Sequence, residues 1–235
     1  MNKTAVIATN RFGLGAKEGD IGAASAMPKQ WVKAQLMPIL FSSELPSTAE
    51  AVEKLRQHRE QRKRAKKMMS AKAADFQNKW FQRYLADYFR LCVATDNSVG
   101  MRLLRFWSNH FSVSARTQTM QVLAPLLQRE AIAPFYLGKF EDLLLSVIKH
   151  PAMLIYLDNH LSIGPNSPAA KKRGGLNENL AREIMELHTL GVNGGYSQQD
   201  VTELAKGLTG WSINCLLYTS PSPRDRSLSR MPSSA

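Results

Sequence analysis

Between Asn177 and His188, polar groups crowd a stretch that must also pack as a helix. Glu178, Arg182 and Glu186 stand at i, i+4 and i+8, a charge ladder in which each exposed pair contributes about 0.2–0.5 kcal/mol. Glu183 lies one turn from Glu186, and two carboxylates so spaced can act as acid and base or hold a metal. His188 follows on the same helix; His110 and His160 lie elsewhere in the chain. If His110, His160, Glu178, Glu183 and His188 converged, imidazoles and carboxylates together would suit zinc or another divalent transition metal. Glu183 would then be the base, with His188 and His110 completing a catalytic set. Plainer readings compete residue by residue. Glu178–Arg182–Glu186 is equally a local ion-pair ladder, His110 a satisfied core histidine between Trp107 and Phe111, and His160 an imidazole favouring a helix C-terminus. No local signature such as His-Glu-x-x-His ties the five together, and the Glu-x-x-His pair of carboxylate-bridged bundles is missing.

A second constellation is electrostatic. From Lys54 to Lys72 there are nine Lys or Arg against the single acid Glu60, so eight of the twelve net positive charges fall in nineteen residues. Arg62, Lys63, Arg64, Lys66 and Lys67 are its densest part and a candidate polyanion-binding surface. No aromatic residue interleaves the run from Arg56 to Ala74, so a stacking platform for single strands is lacking, and no named DNA-binding motif is present. A solvated helical face is the competing reading. The glycines at 13, 15 and 19 imitate a dinucleotide loop only faintly, because no acid stands about twenty residues further on. Ser108, Ser112 and Ser114 lie near His110, but no Gly-x-Ser-x-Gly elbow accompanies them.

The elements that must carry these groups read as helices throughout. Asn10 to Ala26 is Gly-rich and reads as loop. A short helix should follow with Pro28 in its first turn and Trp31, Val32 and Leu36 as apolar contacts. Ser47-Thr48-Ala49-Glu50 has the form of a capping box and should open a helix through Leu55. Beyond it the basic run is either one long solvated helix or a frayed helical linker, with His58 solvated. Ala73, Phe76, Trp80, Tyr84, Tyr88 and Leu91 recur at helical steps, as do apolar residues in Val99–Phe111, Met120–Gln128 and Phe140–Lys149. His150-Pro151 marks a boundary, with His150 as a pre-proline cap, and Leu161–Gly175 reads as loop. Asn177 should cap a helix whose buried stripe is Leu180, Ile184 and Leu187, stopped at Gly191. Ser197 to Asp200 is an acidic capping box opening a last helix, which buries Val201, Leu204, Ala205 and Leu208. No convincing alternating strand occurs. The expectation is an all-α, irregular multi-helix array over residues 1–211, followed by a disordered, Ser-, Pro- and Arg-rich tail over 212–235.

Composition narrows the function classes. The chain has 235 residues, enough for a real core, and no uninterrupted apolar stretch near the roughly 18 residues that a membrane helix requires. The apolar run Ala5–Ala8 is shorter than a signal-peptide core of about 7–15 residues, which points to a cytoplasmic protein without integral membrane association. Two cysteines, Cys92 and Cys215, cannot build a disulfide framework or a four-thiolate zinc site.

Four segments together carry a family resemblance: Asn10–Ala16 (NRFGLGA), Arg105–Val113 (RFWSNHFSV), His150–Leu154 (HPAML) and above all Asn177–Trp211 (NENLAREIMELHTLGVNGGYSQQDVTELAKGLTGW). On these the chain resembles the bacterial family catalogued as domain of unknown function 1800. The resemblance implies a predominantly helical protein about twice this length, with a second half beyond the Thr-Gly-Trp element. It therefore implies that this chain is a truncated N-terminal part. Cys215–Ala235 looks like a translated sequencing adapter of metagenomic origin. A partner is implied by gene neighbourhood alone: the product of another uncharacterised family, number 1501 in the same catalogue. Two functions stay open, a helical scaffold or partner-binding module and a metal-assisted hydrolase completed by the missing half, with nucleic-acid binding through the basic helix as a third.

Overall fold

The computed structural model describes residues 2–67, 76–168, 170 and 174–213. The expected contact of Ala73 and the expected tail from residue 214 onward lie outside the described residues. Among those described, the architecture is all-α without a sheet. In chain order the helices are α1 (Lys3–Ile7), α2 (Asp20–Ala26), α3 (Pro28–Ala34), α4 (Thr48–Lys67), α5 (Phe76–Ala94) and α6 (Ser98–His110). They continue as α7 (Gln118–Leu126), α8 (Phe140–Lys149), α9 (Pro151–Tyr156), α10 (Asn179–Glu183) and α11 (Gln198–Leu208). Three π-helical segments extend α1, α7 and α10, over Ala8–Phe12, Leu127–Ile132 and Ile184–Thr189.

The core gathers around α7, which packs on α4, α5 and α9. Val122, Leu123 and Leu126 on α7, Met101 and Leu104 on α6, and Leu154 on α9 are completely buried. Each such side chain removed from water contributes roughly 1.5–3 kcal/mol, which makes α7 the costliest element to disturb. Helix α10 pairs with α11, where the Ser197–Asp200 capping box forms as its sequence requires and Val201, Ala205 and Leu208 turn inward. Helices α1 to α3 form a separate small cluster around Ala5, Ala8 and Ala24, with Ile21, Trp31 and Val32 packed on it.

Several local expectations are corrected. The segment Asn10–Ala26 is not a continuous loop: the π turn runs to Phe12 and α2 starts at Asp20. Its glycines punctuate helices. Gly19 at φ +86° makes the turn that lets the Asp20 carboxylate accept the Lys17 N–H. Leu36 is 42 % exposed, past the end of α3 rather than on its buried face. The basic run is one continuous helix to Lys67. His58 is buried on it, edge-on to Phe76 and hydrogen-bonded through Nδ1 to the Gln77 amide at 3.2 Å. Leu187 is 56 % exposed, and His188 takes the inward place expected of it. The cause is the π segment. A wider turn advances less per residue, so the stripe begun by Leu180 and Ile184 lags and reaches the core again one residue later.

Candidate functional site

The five residues that could form one ligand set do not converge on one place. Glu178, at the start of α10, accepts from the Thr202 hydroxyl (2.8 Å), the Gln198 amide (2.8 Å) and Arg182 (3.1 Å). Those hydrogen bonds, Thr202 foremost, hold its carboxyl below the usual range. It ties α10 to α11 and is occupied in doing so. Glu183 goes the other way: partial burial and then the neighbouring Glu186 charge raise its carboxyl. His160 donates from Nδ1 to the Leu154 carbonyl at 3.2 Å, closing the end of α9. Among the described residues no three of His, Cys, Asp and Glu come together in a group able to hold a metal ion.

His110 and His188 do meet. Their ring centroids are 6.0 Å apart, and His110 Nε2 lies 3.1 Å from the His188 carbonyl oxygen. A carbonyl only accepts, so Nε2 carries the proton, and a neutral His110 keeps its lone pair on Nδ1. The carbonyl of His188 is one of those left unpaired where its π segment ends, and His110 fills that need from α6. His188 is itself 6 % exposed, and its Nδ1 has no hydrogen-bond partner. Burial, then the adjacent His110, pushes its pKa down to about 4, so the ring is neutral at pH 7. Aromatic rings surround the pair: Phe111 lies 5.1 Å from His188, Trp107 5.6 Å from His110, and the exposed Phe106 and Phe140 each 6.5 Å from His110.

A group around His150 went unnoticed in the sequence because its members are far apart. His150 Nδ1 accepts the Ala152 N–H at 3.1 Å, which makes it the pre-proline cap its position predicted. Its Nε2 meets the Thr48 hydroxyl at 3.1 Å, and the Thr48 N–H donates to both Glu130 oxygens at 3.0 and 3.2 Å. Hydroxyl, imidazole and carboxylate together suggest a nucleophile and base. The partners exclude that. With Nδ1 accepting, the neutral ring carries its proton on Nε2 and donates to Thr48, so it cannot take the hydroxyl proton. Burial lowers its pKa to about 3, far from that of a base at neutral pH. The cluster is a joint. Glu130 sits at the positive end of α4, and His150 links α4 to α9.

The candidate polyanion-binding residues lie on α4. On α4, Arg56 binds both Glu53 (2.8 Å) and Glu60 (2.8 Å), so the acids of this stretch are both used by one arginine. Arg59, Lys63 and Arg64 are exposed and make no ion pair among the described residues, while Arg62 reaches the Gln118 side chain at 3.5 Å. Lys66 and Lys67 end the helix, and their side chains lie outside the described residues.

The described residues form an irregular helical array with a histidine pair packed among aromatic rings and one strongly basic helix. No curated protein and no solved structure matches the chain. The model of one family does, over residues 7–231, and the chain belongs to that family, described as Protein of unknown function (DUF1800). The match runs beyond Trp211, the last residue of the segments that carry the resemblance. No helix among the described residues is long and apolar enough to cross a membrane.

Proposed function

We propose that this domain is a helical scaffold that binds an acidic partner through the basic face of α4. One observation carries the reading: Arg59, Lys63 and Arg64 are exposed on the twenty-residue helix α4 and make no ion pair among the described residues, whereas the carboxylates suited to catalysis are engaged or apart. Charge concentrated on one rigid surface steers association with an oppositely charged partner and loses force in salt. The test is retention on immobilised poly-glutamate and on heparin in a salt gradient, for the wild type and for Arg62→Ala/Lys63→Ala/Arg64→Ala. Alanine preserves the helix, so the variant should stay folded and elute from poly-glutamate at clearly lower salt. Unchanged elution refutes the reading; salt-sensitive retention on heparin alone transfers it to nucleic acid. The product of the family-1501 neighbour is the first protein to test by co-purification.

The alternative, a metal-assisted hydrolase, keeps support only from His110 and His188. A metal-bound histidine commonly donates its other N–H to a backbone carbonyl, as His110 does. Two imidazoles fall short of the three protein ligands usual at catalytic zinc, so further ligands would have to come from outside the described residues. Elemental analysis of protein purified without chelator decides. Stoichiometric metal, lost in His110→Ala/His188→Ala, favours the hydrolase, and its absence from the wild type removes it.

A further inference from the structure

Between α3 and α4 the chain runs extended over α5 and the π segment that follows α7, and it leaves two cavities beneath it. One has a volume of about 290 Å³ and is walled by Ile39, Leu40, Tyr136 and Leu137; the other, about 160 Å³, lies against Leu85 and Tyr88. Phe41 and Arg129 line both, so the two are lobes on either side of one aromatic ring and one guanidinium. Leu40 stands at the mouth, 80 % exposed. Only joined do lobes of about 290 and 160 Å³ reach the lower part of the size range of small-molecule sites, where one or two polar groups set orientation.

Arg129 is that polar group. Its Nη1 donates to the carbonyls of Leu45 (2.8 Å) and Pro46 (3.2 Å), which fixes the plane of the guanidinium. Both hydrogen bonds leave from the same nitrogen, and the Nε and Nη2 edge makes none among the described residues. That edge is the fork that receives a carboxylate through two parallel N–H···O bonds. The charged groups facing Arg129 are few. Glu50 lies close enough to feel its charge but is hydrogen-bonded to Ser47, and the Glu130 carboxylate is committed to the Thr48 N–H. The free edge of the guanidinium, set between apolar lobes, matches a singly charged head on an apolar body. Glu50 keeps its charge near Arg129, so a phosphate carrying two charges is repelled more strongly than a monocarboxylate.

We propose that the Phe41–Arg129 cleft binds an apolar monocarboxylate, with its carboxylate on the Nε–Nη2 edge of Arg129 and its hydrocarbon in the lobes. This site is separate from the α4 surface and stands whether or not that surface binds a partner. The probe is octanoate, with octanol and octylamine as controls, titrated into the full chain by calorimetry. Octanoate should bind saturably and at least about tenfold more tightly than octanol, because the fork adds charge-assisted hydrogen bonds to the same apolar burial. Arg129→Lys keeps the charge but loses the fork and should weaken octanoate while leaving octanol unchanged. Since Arg129 also holds two backbone carbonyls, Leu137→Trp supplies a second variant. Leu137 is partly exposed and lines only the larger lobe, so filling that lobe should abolish most octanoate binding without lowering the melting temperature. Equal affinity for octanoate and octanol, no saturable binding of octanoate, or full binding by a folded Leu137→Trp protein overturns the proposal.

Discussion

His150 and His188 are buried to nearly the same degree, and burial holds both rings neutral, yet their surroundings differ in kind. Around His150 both ring nitrogens have partners, and each partner belongs to an element end that would otherwise be unsatisfied. Around His188 the backbone carbonyl is served by His110, while Nδ1 is left among aromatic rings with nothing to bond. An unpartnered buried nitrogen costs about 1–3 kcal/mol, so a fold that keeps one carries a cost that packing alone does not explain. Burial and a lowered pKa therefore do not distinguish the two rings; the partners of their nitrogens do.

The widest test of that contrast is His150→Ala. It removes the cap of α9 and orphans the Thr48 hydroxyl, so it should lower stability by about 2–3 kcal/mol in urea denaturation. A loss below half that would mean the joint is slack. Acid comes next. Both imidazoles have folded pKa values, about 3 and about 4, below the ordinary imidazole value of 6.5. Between those values and 6.5 the unfolded chain binds more protons than the folded one. The contribution is therefore complete above pH ~6.5 and is lost as pH falls toward about 4 and then about 3. Urea midpoints should drop between pH ~7 and ~4.5, and His188→Leu should flatten that drop. The smallest effect carries the sign that matters most. At pH ~7, His188→Leu should be neutral or stabilising by up to about 1 kcal/mol, because it removes the unmet nitrogen. Destabilisation by as much as His150→Ala would erase the distinction between the two sites.

Local rules were legible where both partners are near in sequence. Ser47–Glu50 and Ser197–Asp200 form their boxes, and α8 spans the expected Phe140–Lys149. Gly191, Asn193 and Gly195 sit at positive φ, as a helix stop and a tight turn require. Phase was not legible. A period of 3.6 assigns Leu187 to the core, and only the neighbours that widen the turn to a π segment reveal that His188 belongs there. Nor were distant partners. His58 reads as solvated until Phe76 and Gln77 close over it, and Thr48 lies 102 residues from His150. Arg129 gave no signal because its role depends on which of its nitrogens the Leu45 and Pro46 carbonyls take.

The cluster formed by α1 to α3 is centred on alanines and rests on α6 largely through polar contacts. Gln35 accepts from the Ser98 hydroxyl and the Val99 N–H, and Arg102 donates to the Gly13 carbonyl. Polar contacts of that kind exchange readily for water, whereas the leucines of α7 do not. In native-state hydrogen exchange, the amides of residues 3–34 should therefore open together at a free energy well below that of α7, as one detachable unit. Gly13 is the hinge point of that docking. A methyl group there would come within 2.6 Å of both Ser98 Oγ and the Thr9 carbonyl, so the unit can close onto α6 only where the chain carries no side chain.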